Sequence, residues 1–272
     1  MIQDVRNGIK TRRSVRAFDG QPLEKDDLER LCAFLETVEN PYGLPVTFRL
    51  LDGKELGLSS PVVSGSELFL GAKIGQAPHF EEAFGYSFET VVLYAWSLGI
   101  GTVWIGGTMK REHFERAMEL APGERMPCVT PLGYPAKRMS VKETLMRRGV
   151  GADRRQPFEM LFFDGGTDRP LTVEKAGVLR DALEAVRLAP SAVNKQPWRC
   201  VIDRNTVHFY EKQTRGYTSE ATGDLQKVDL GIALCHFDLA ARESGLSPRF
   251  AISDPGREMP ADTRYIATFV MK

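Results

Sequence analysis

The chain has 272 residues, 42% of them apolar and 26% charged, with 36 Lys and Arg balanced by 36 Asp and Glu. That composition fits a soluble globular protein of one large domain or two small ones and disfavours a nonspecific nucleic-acid surface. Four scattered cysteines without a CxxC exclude a small disulfide scaffold and point to reduced thiols in a cytoplasm, while the polar start and the lack of a long apolar run argue against a signal peptide or a membrane helix.

In chain order, residues 3–10 predict a short helix that ends near the basic run Thr11-Arg12-Arg13-Ser14-Val15-Arg16. Leu28, Leu31, Cys32, Leu35 and Val38 fall at helical spacing, so a helix is expected from Leu23 to Val38, stopped by Asn40-Pro41. Thr47–Asp52 reads as a strand. Residues 53–84 are rich in Gly, Ser and Pro and give no clear element beyond a short apolar piece at Leu68–Leu70. An apolar helix is expected over Ser87–Leu98, ended at Gly99. A strand over Thr102–Ile105 follows, broken by Gly106-Gly107, then a helix over His113–Leu120 and a strand over Cys128–Tyr134. In the remainder, Leu171–Leu188 predicts a helix, Arg199–Asp203 and Val207–Glu211 a hairpin, Asp229–Ser244 a helix, and Arg249–Ser253 and Tyr265–Met271 two strands.

The second stretch repeats the order of the first. Gln21-Pro22-Leu23 opens one helix and Arg169-Pro170-Leu171 another; Pro41 and Pro190 close them; Leu98-Gly99-Ile100 and Ser244-Gly245-Leu246 play the same part. Two long copies suggest duplication of a domain-sized unit, with halves 1–165 and 166–272 in a single domain. The copies are unequal. Arg12-Arg13-Ser14-Val15-Arg16 has no counterpart near Phe163–Thr167, and Pro190-Ser191-Ala192-Val193-Asn194 faces a shorter Pro41–Pro45 without Ser or Asn. Each half lacks what the other has, which predicts one composite site.

No GxxxxGK[ST], HExxH or GxSxG motif is present, and the four histidines show no metal spacing. What remains is cationic and backbone-rich: Arg12, Arg13 and Arg16, the pair Lys137-Arg138, the Gly106-Gly107 turn and the polar loop 190–196. Guanidinium groups suit bidentate phosphate contacts.

Taken together, Thr-Arg-Arg-Ser-Val-Arg at 11–16, Leu-Gly-Ile-Gly-Thr-Val-Trp-Ile-Gly-Gly at 98–107, Leu-Gly-Tyr-Pro at 132–135, Arg-Gln-Pro-Phe-Glu at 155–159 and Ala-Pro-Ser-Ala-Val-Asn-Lys-Gln-Pro-Trp at 189–198 resemble the nitroreductase family of flavin enzymes. In that family the APS-N-QPW piece precedes the GIG and GYP pieces. Here it comes last, which resembles the internally duplicated, single-chain branch. The resemblance implies an α+β fold, a three-layer α/β/α sandwich whose pseudo-symmetric halves form a fused pseudo-dimer.

It also implies one flavin mononucleotide (FMN) per chain. Arg12, Lys137 and Arg138 are then candidates for the phosphate, Arg13 is placed at the cofactor site beside them, and Ser14 is a candidate for the phosphate or ribityl chain. Arg16 corresponds to the basic position near flavin N1. The backbone of Ile105, Gly106 and Gly107 would approach N5, where glycine permits close contact. Pro190, Ser191 and Asn194 would close the site from the other half, and Trp198 would anchor the core. NAD(P)H is the implied reductant and a small electron-poor molecule, a nitroaromatic or quinone, the acceptor. No catalytic side chain and no metal are expected, since the chemistry resides on the flavin. A fused pseudo-dimer is expected to be monomeric. The alternative is a flavin-binding storage or sensor protein with little turnover.

Overall fold

The computed structural model describes residues 2 and 4–272. The first helix, α1, spans Val5–Thr11; Gln3, where it was expected to start, lies outside the described residues. Then come α2 (Lys25–Leu35), β1 (Val46–Asp52), β2 (Leu68–Gly75), α3 (Phe80–Ser97), α4 (Arg111–Ala117), β3 (Glu124–Arg125), β4 (Val129–Leu132), α5 (Val141–Gly149) and β5 (Phe162–Asp164). The chain continues with α6 (Arg180–Leu188), β6 (Trp198–Asp203), β7 (Thr206–Lys212), β8 (Thr218–Ser219), β9 (Gly223–Asp224), α7 (Leu225–Glu243), β10 (Pro248–Ala251) and β11 (Thr263–Met271).

In the first sheet β2 is central. It pairs antiparallel with β1 along its length, and with β4 and β3 at its two ends. Alternate residues of β2 serve opposite faces, as strand geometry requires. Leu70, Ala72 and Ile74 pack with Phe84 and Phe88 of α3, whereas Phe69 packs with Phe114 of α4 and Gly71 lies against Met118. The layers around this sheet are therefore α/β/α. The second sheet runs β10-β11-β7-β6-β5, antiparallel except for β5, which is parallel to β6. Helices α6 and α7 cover it, with Trp198, Phe209, Phe237 and Phe269 in one cluster. Strand β5 precedes residue 165, yet it pairs with Cys200, Val201 and Ile202 of β6. Residues 162–164 thus complete a sheet whose other strands come from beyond residue 197.

Several boundaries differ from expectation for identifiable reasons. The expected strand Thr102–Ile105 makes only isolated bridges, Ser14 to Thr102 and Ile105 to Val129. Here the Val103 N–H donates to the Thr130 Oγ1 at 2.9 Å, so a side chain takes the place of a ladder carbonyl. The expected helix Leu171–Leu188 is broken at Gly177, where φ is +55°, into a 3-10 turn over Glu174–Leu179 followed by α6. Helix α3 begins seven residues before Ser87 because Glu81 and Glu82, which read as surface residues, are buried. Helix α7 begins at Leu225, where the Asp224 carboxylate accepts the Gln226 N–H at 2.9 Å and caps it.

Helix α3 packs closely on α7. A Cβ on Gly85 would lie 2.1 Å from the Val228 carbonyl oxygen, and one on Gly231 would lie 2.1 Å from that of Glu82. Only hydrogen fits at either position. Gly231→Ala is expected to cost roughly 3 kcal/mol or more by forcing two rigid backbones apart, whereas Gly75→Ala, with open space around it, stays within about 0.5 kcal/mol. Urea unfolding of both variants checks this.

A second test concerns Glu211, which is fully buried, has no hydrogen-bond partner and faces Trp198 across the strand pair. Burial, helped by Asp224, raises its carboxyl from 4.5 to about 7. The unfolded chain then releases this proton first, so Glu211 lowers stability progressively from pH 4.5 to about 7. Glu211→Gln should match the wild type near pH 4.5 and exceed it by about 2–3 kcal/mol at pH 8.

Candidate functional site

Three segments from distant parts of the chain converge on one cavity of about 500 Å³. The first follows α1. Its Val15 N–H donates to the Thr102 carbonyl at 2.8 Å, and the Val15 side chain is buried against Gly101. This extended anchor leaves Arg12, Ser14 and Arg16 on the cavity wall. The second is the 103–108 turn, which contributes Trp104, Gly106 and Gly107. Its register is set by two hydrogen bonds between the backbones of Ile105 and Val129, at 2.9 and 3.0 Å. The third is the loop after α6, held at the N-terminal part of α7.

That loop is strained. Val193, Asn194 and Gln196 all have φ near +50°, a region that a β-branched residue rarely enters. Side chains hold it in place. Asp229 accepts the Ala192 N–H with both carboxylate oxygens at 3.0 Å. Ser191 Oγ accepts the Gln196 N–H at 2.9 Å, and Gln196 Oε1 accepts the Gln156 N–H at 2.9 Å. Asn194 donates to the carbonyls of Gly151 and Arg154 at 2.7 and 2.9 Å. The loop therefore clasps the segment that follows α5, and with it Arg155.

The walls carry a surplus of positive charge. Arg12, Arg13, Arg16, Arg147 and Arg155 line the cavity against Asp153 and Asp229. Arg147 pairs with Asp153, and Arg13 reaches Glu143 at 3.4 Å. Among the described residues, Arg16 and Arg155 have no ion pair. Arg155 donates only to carbonyls, those of Ala152, Arg154 and Leu188, and to Asn194 Oδ1. Burial lowers the guanidinium pKa values of Arg16 and Arg155, the latter with help from neighbouring Arg12 and Arg187. Most telling, Nε and Nη1 of Arg12, Nε of Arg16 and Nε of Arg155 are buried without any acceptor. Orphaned charged donors of this kind are costly, and an anion in the cavity would offset the surplus charge of these guanidinium groups. Burial also shifts two other wall groups. Burial raises the Cys128 thiol to about 12 and pushes the Asp229 carboxyl well above the usual range, partly offset by the Ala192 N–H.

Nine of the twelve residues expected at the site line this cavity: Arg12, Arg13, Ser14, Arg16, Gly106, Gly107, Pro190, Ser191 and Asn194. Three do not. Ile105 is buried with Val129 and Phe114, its backbone committed to the bridge with Val129. Lys137 and Arg138 are exposed in the turn before α5 and do not line the cavity. Arg147 and Arg155 stand there instead. They had a visible signal, since Arg147-Arg148 and Arg154-Arg155 are cationic pairs like Lys137-Arg138. Trp104 and Asp229 also line the wall, and no sequence pattern marked either. Val62 joins them, so the unassigned stretch 53–67 reaches the cavity's edge. Among the described residues no group of His, Cys, Asp and Glu could hold a metal ion, and no helix is long and apolar enough to cross a membrane.

The profile of a family described as "Putative TM nitroreductase" matches residues 4–241. The chain belongs to this nitroreductase family. Its members are oxidoreductases. The fold agrees. A crystal structure of "a putative nitroreductase" from Thermotoga maritima superposes with a TM-score of 0.62 at 20% identity, covering 100% of this chain and 95% of that one. An "FMN-dependent nitroreductase" from Clostridium difficile matches at 17% identity and a TM-score of 0.42, covering 52% of this chain and 94% of its own. Comparison with curated protein sequences gives no match.

In this nitroreductase-family chain the clasp made by Asn194 is separable from the cavity's charges. Asn194→Ala removes two good hydrogen bonds, while the Gly151 and Arg154 carbonyls keep the Arg154 N–H and Arg155 Nη1 as donors, at a cost of roughly 1–2 kcal/mol. Limited proteolysis should then cut the 147–155 segment faster than in the wild type.

Proposed function

We propose that the chain is an FMN-dependent oxidoreductase that passes hydride from NAD(P)H to a small electron-poor acceptor such as a nitroaromatic or a quinone. The observation that carries this reading is the surplus of guanidinium groups around one cavity, where Arg16 and Arg155 have no carboxylate partner among the described residues. A cavity of this size suits a cofactor. The FMN phosphate is the dianion such donors require. Arg12, Arg147 and Arg155 would hold it, with the Ser14 hydroxyl as a further donor. Arg16 would stand by the pyrimidine end and favour negative charge there. Bound flavin supplies the hydride-accepting and hydride-donating chemistry. The protein's part is to bind, orient and tune, so no catalytic acid or nucleophile is required. Cys128, whose thiol burial raises to about 12, fits that passive part.

The architecture is read as two pseudo-repeat halves, 1–165 and 166–272, duplicated and fused. The cationic segment and the glycine turn belong to the first and the polar loop to the second, which supports one FMN per chain. A monomeric, cytoplasmic protein follows from the same reading. Sedimentation of the purified chain tests the monomer.

The function is tested by the absorbance of the purified protein after incubation with FMN. A bound flavin spectrum, bleached by NADH or NADPH and restored by a quinone, is the expected result. A yellow protein that neither nucleotide bleaches would leave a flavin-binding protein without turnover, and a colourless one would remove flavin from the account. Arg147→Ala/Arg155→Ala is expected to weaken FMN binding by more than tenfold, as befits roughly 1.4 kcal/mol or more of charge-assisted contact. The effect on riboflavin, which lacks the phosphate, should be small. Lys137→Ala/Arg138→Ala should give the smaller change of the two pairs.

A further inference from the structure

Behind the cavity lies a buried charge cluster. Glu89 of α3 is fully buried and receives three groups. Its Oε2 accepts the Trp104 Nε1–H at 2.9 Å, its Oε1 lies 2.9 Å from His236 Nε2, and the same oxygen lies 3.7 Å from Arg12 Nε. His236, on α7, is also fully buried, and its Nδ1 lies 2.9 Å from the carbonyl oxygen of Ala185 on α6.

The partners fix the protons. A backbone carbonyl only accepts, so Nδ1 carries hydrogen. At 2.9 Å one hydrogen lies between Nε2 and Glu89 Oε1. Whichever of the two atoms holds it, Glu89 and His236 together carry no net charge. The other charged groups nearby are engaged elsewhere. On α6, Glu184 and Arg187 pair with each other; on α7, Asp238 binds Tyr86 and Arg242, and Cys235 contacts Thr90 of α3. The cluster of Arg12, Glu89 and His236 therefore sums to +1.

We propose that His236 is a positioning residue for the anion site: by neutralising Glu89 from behind, it leaves the Arg12 charge free for the cofactor phosphate. Without His236 as its partner, an ionised Glu89 would cancel Arg12 and the cavity would face the phosphate with one positive charge fewer. The arrangement also links the two halves, since Glu89 and Arg12 come from the first and His236 from the second. This inference rests on the FMN reading above and assigns a charge-setting role to residues outside the cavity wall.

The test measures FMN and riboflavin affinities by fluorescence titration of the purified protein and its variants. His236→Gln keeps a neutral donor toward Glu89 and should weaken FMN binding about tenfold while changing riboflavin binding less than about threefold, because only the phosphate senses the lost charge. The double variant Glu89→Gln/His236→Gln removes both members of the neutral pair and should recover most of the FMN affinity. Equal losses for FMN and riboflavin, or a double variant weaker than His236→Gln alone, would mean a merely structural role and overturn the proposal. Thermal unfolding identifies any variant that fails to fold, and His236→Asn, which keeps the donor to Ala185, then serves in its place with the same expectation. A wild-type chain that binds neither flavin would instead remove the functional reading, a distinct result.

Discussion

The close crossing of α3 and α7 is the constraint on which the rest of the molecule depends. Gly85 and Gly231 sit against each other's helix, and the absence of two Cβ atoms lets the backbones touch. That distance decides what else can meet. It brings Glu89 within reach of His236, Tyr86 within 2.7 Å of Asp238, and Thr90 within 3.3 Å of Cys235. It also places Leu225, Val228, Asp229 and Ile232 of α7 on the wall of a cavity whose cations come from the other end of the chain. Helices separated by another 1–2 Å would lose these polar contacts first, because hydrogen bonds weaken steeply with distance while apolar packing can partly relax.

Burying so much charge is expensive, and the structure shows how the cost is distributed. Glu89 is surrounded by donors, whereas Arg12, Arg16 and Arg155 keep N–H groups without acceptors. The strained loop at 193–196 adds to this cost, and the clasp formed by Asn194, Gln196 and Asp229 holds it. Local sequence preference and global fold disagree here, and such disagreement is concentrated around this cavity. Elsewhere the chain follows its local preferences: apolar residues alternate on β2, the side chain of Asp224 caps α7, and Pro190 follows the end of α6.

Those preferences explain what was legible in the sequence. Most of the longer elements were, because period and punctuation mark them: the hairpin β6–β7, the ends of α3 and α7 at glycine, and the stop at Pro190. The starts of α3 and α7 were not, since Glu81, Glu82 and Gln226 read as polar surface and are buried by partners distant in the chain. Strand β2 was reduced to its first three residues because Gly71 and Lys73 interrupt the apolar run, although Gly71 is needed for Met118 to pack. Strand β5 and helix α5 carried no periodic signal. The segments of the site were legible as compositional oddities, a triple arginine and a polar loop between prolines. Which cations reach the cavity was not legible, because Lys137-Arg138 and Arg154-Arg155 look alike in sequence and only the Asn194 clasp tells them apart.

The short loop after α2 is built unlike the loop after α6. Asn40 turns inward, donating to the Leu44 carbonyl at 2.6 Å and to Ser87 Oγ at 3.0 Å. Tyr42 beside it is packed against His79 and Phe250. Aromatic packing therefore organises this region, and its polar groups are poorly served: the Tyr42 hydroxyl and Glu82 Oε2 have no hydrogen-bond partner, and burial raises the Tyr42 hydroxyl well above its ordinary range. Ring contacts hold this loop where side-chain hydrogen bonds hold the loop after α6, so the loop with the polar clasp is the one that can border a charged cavity.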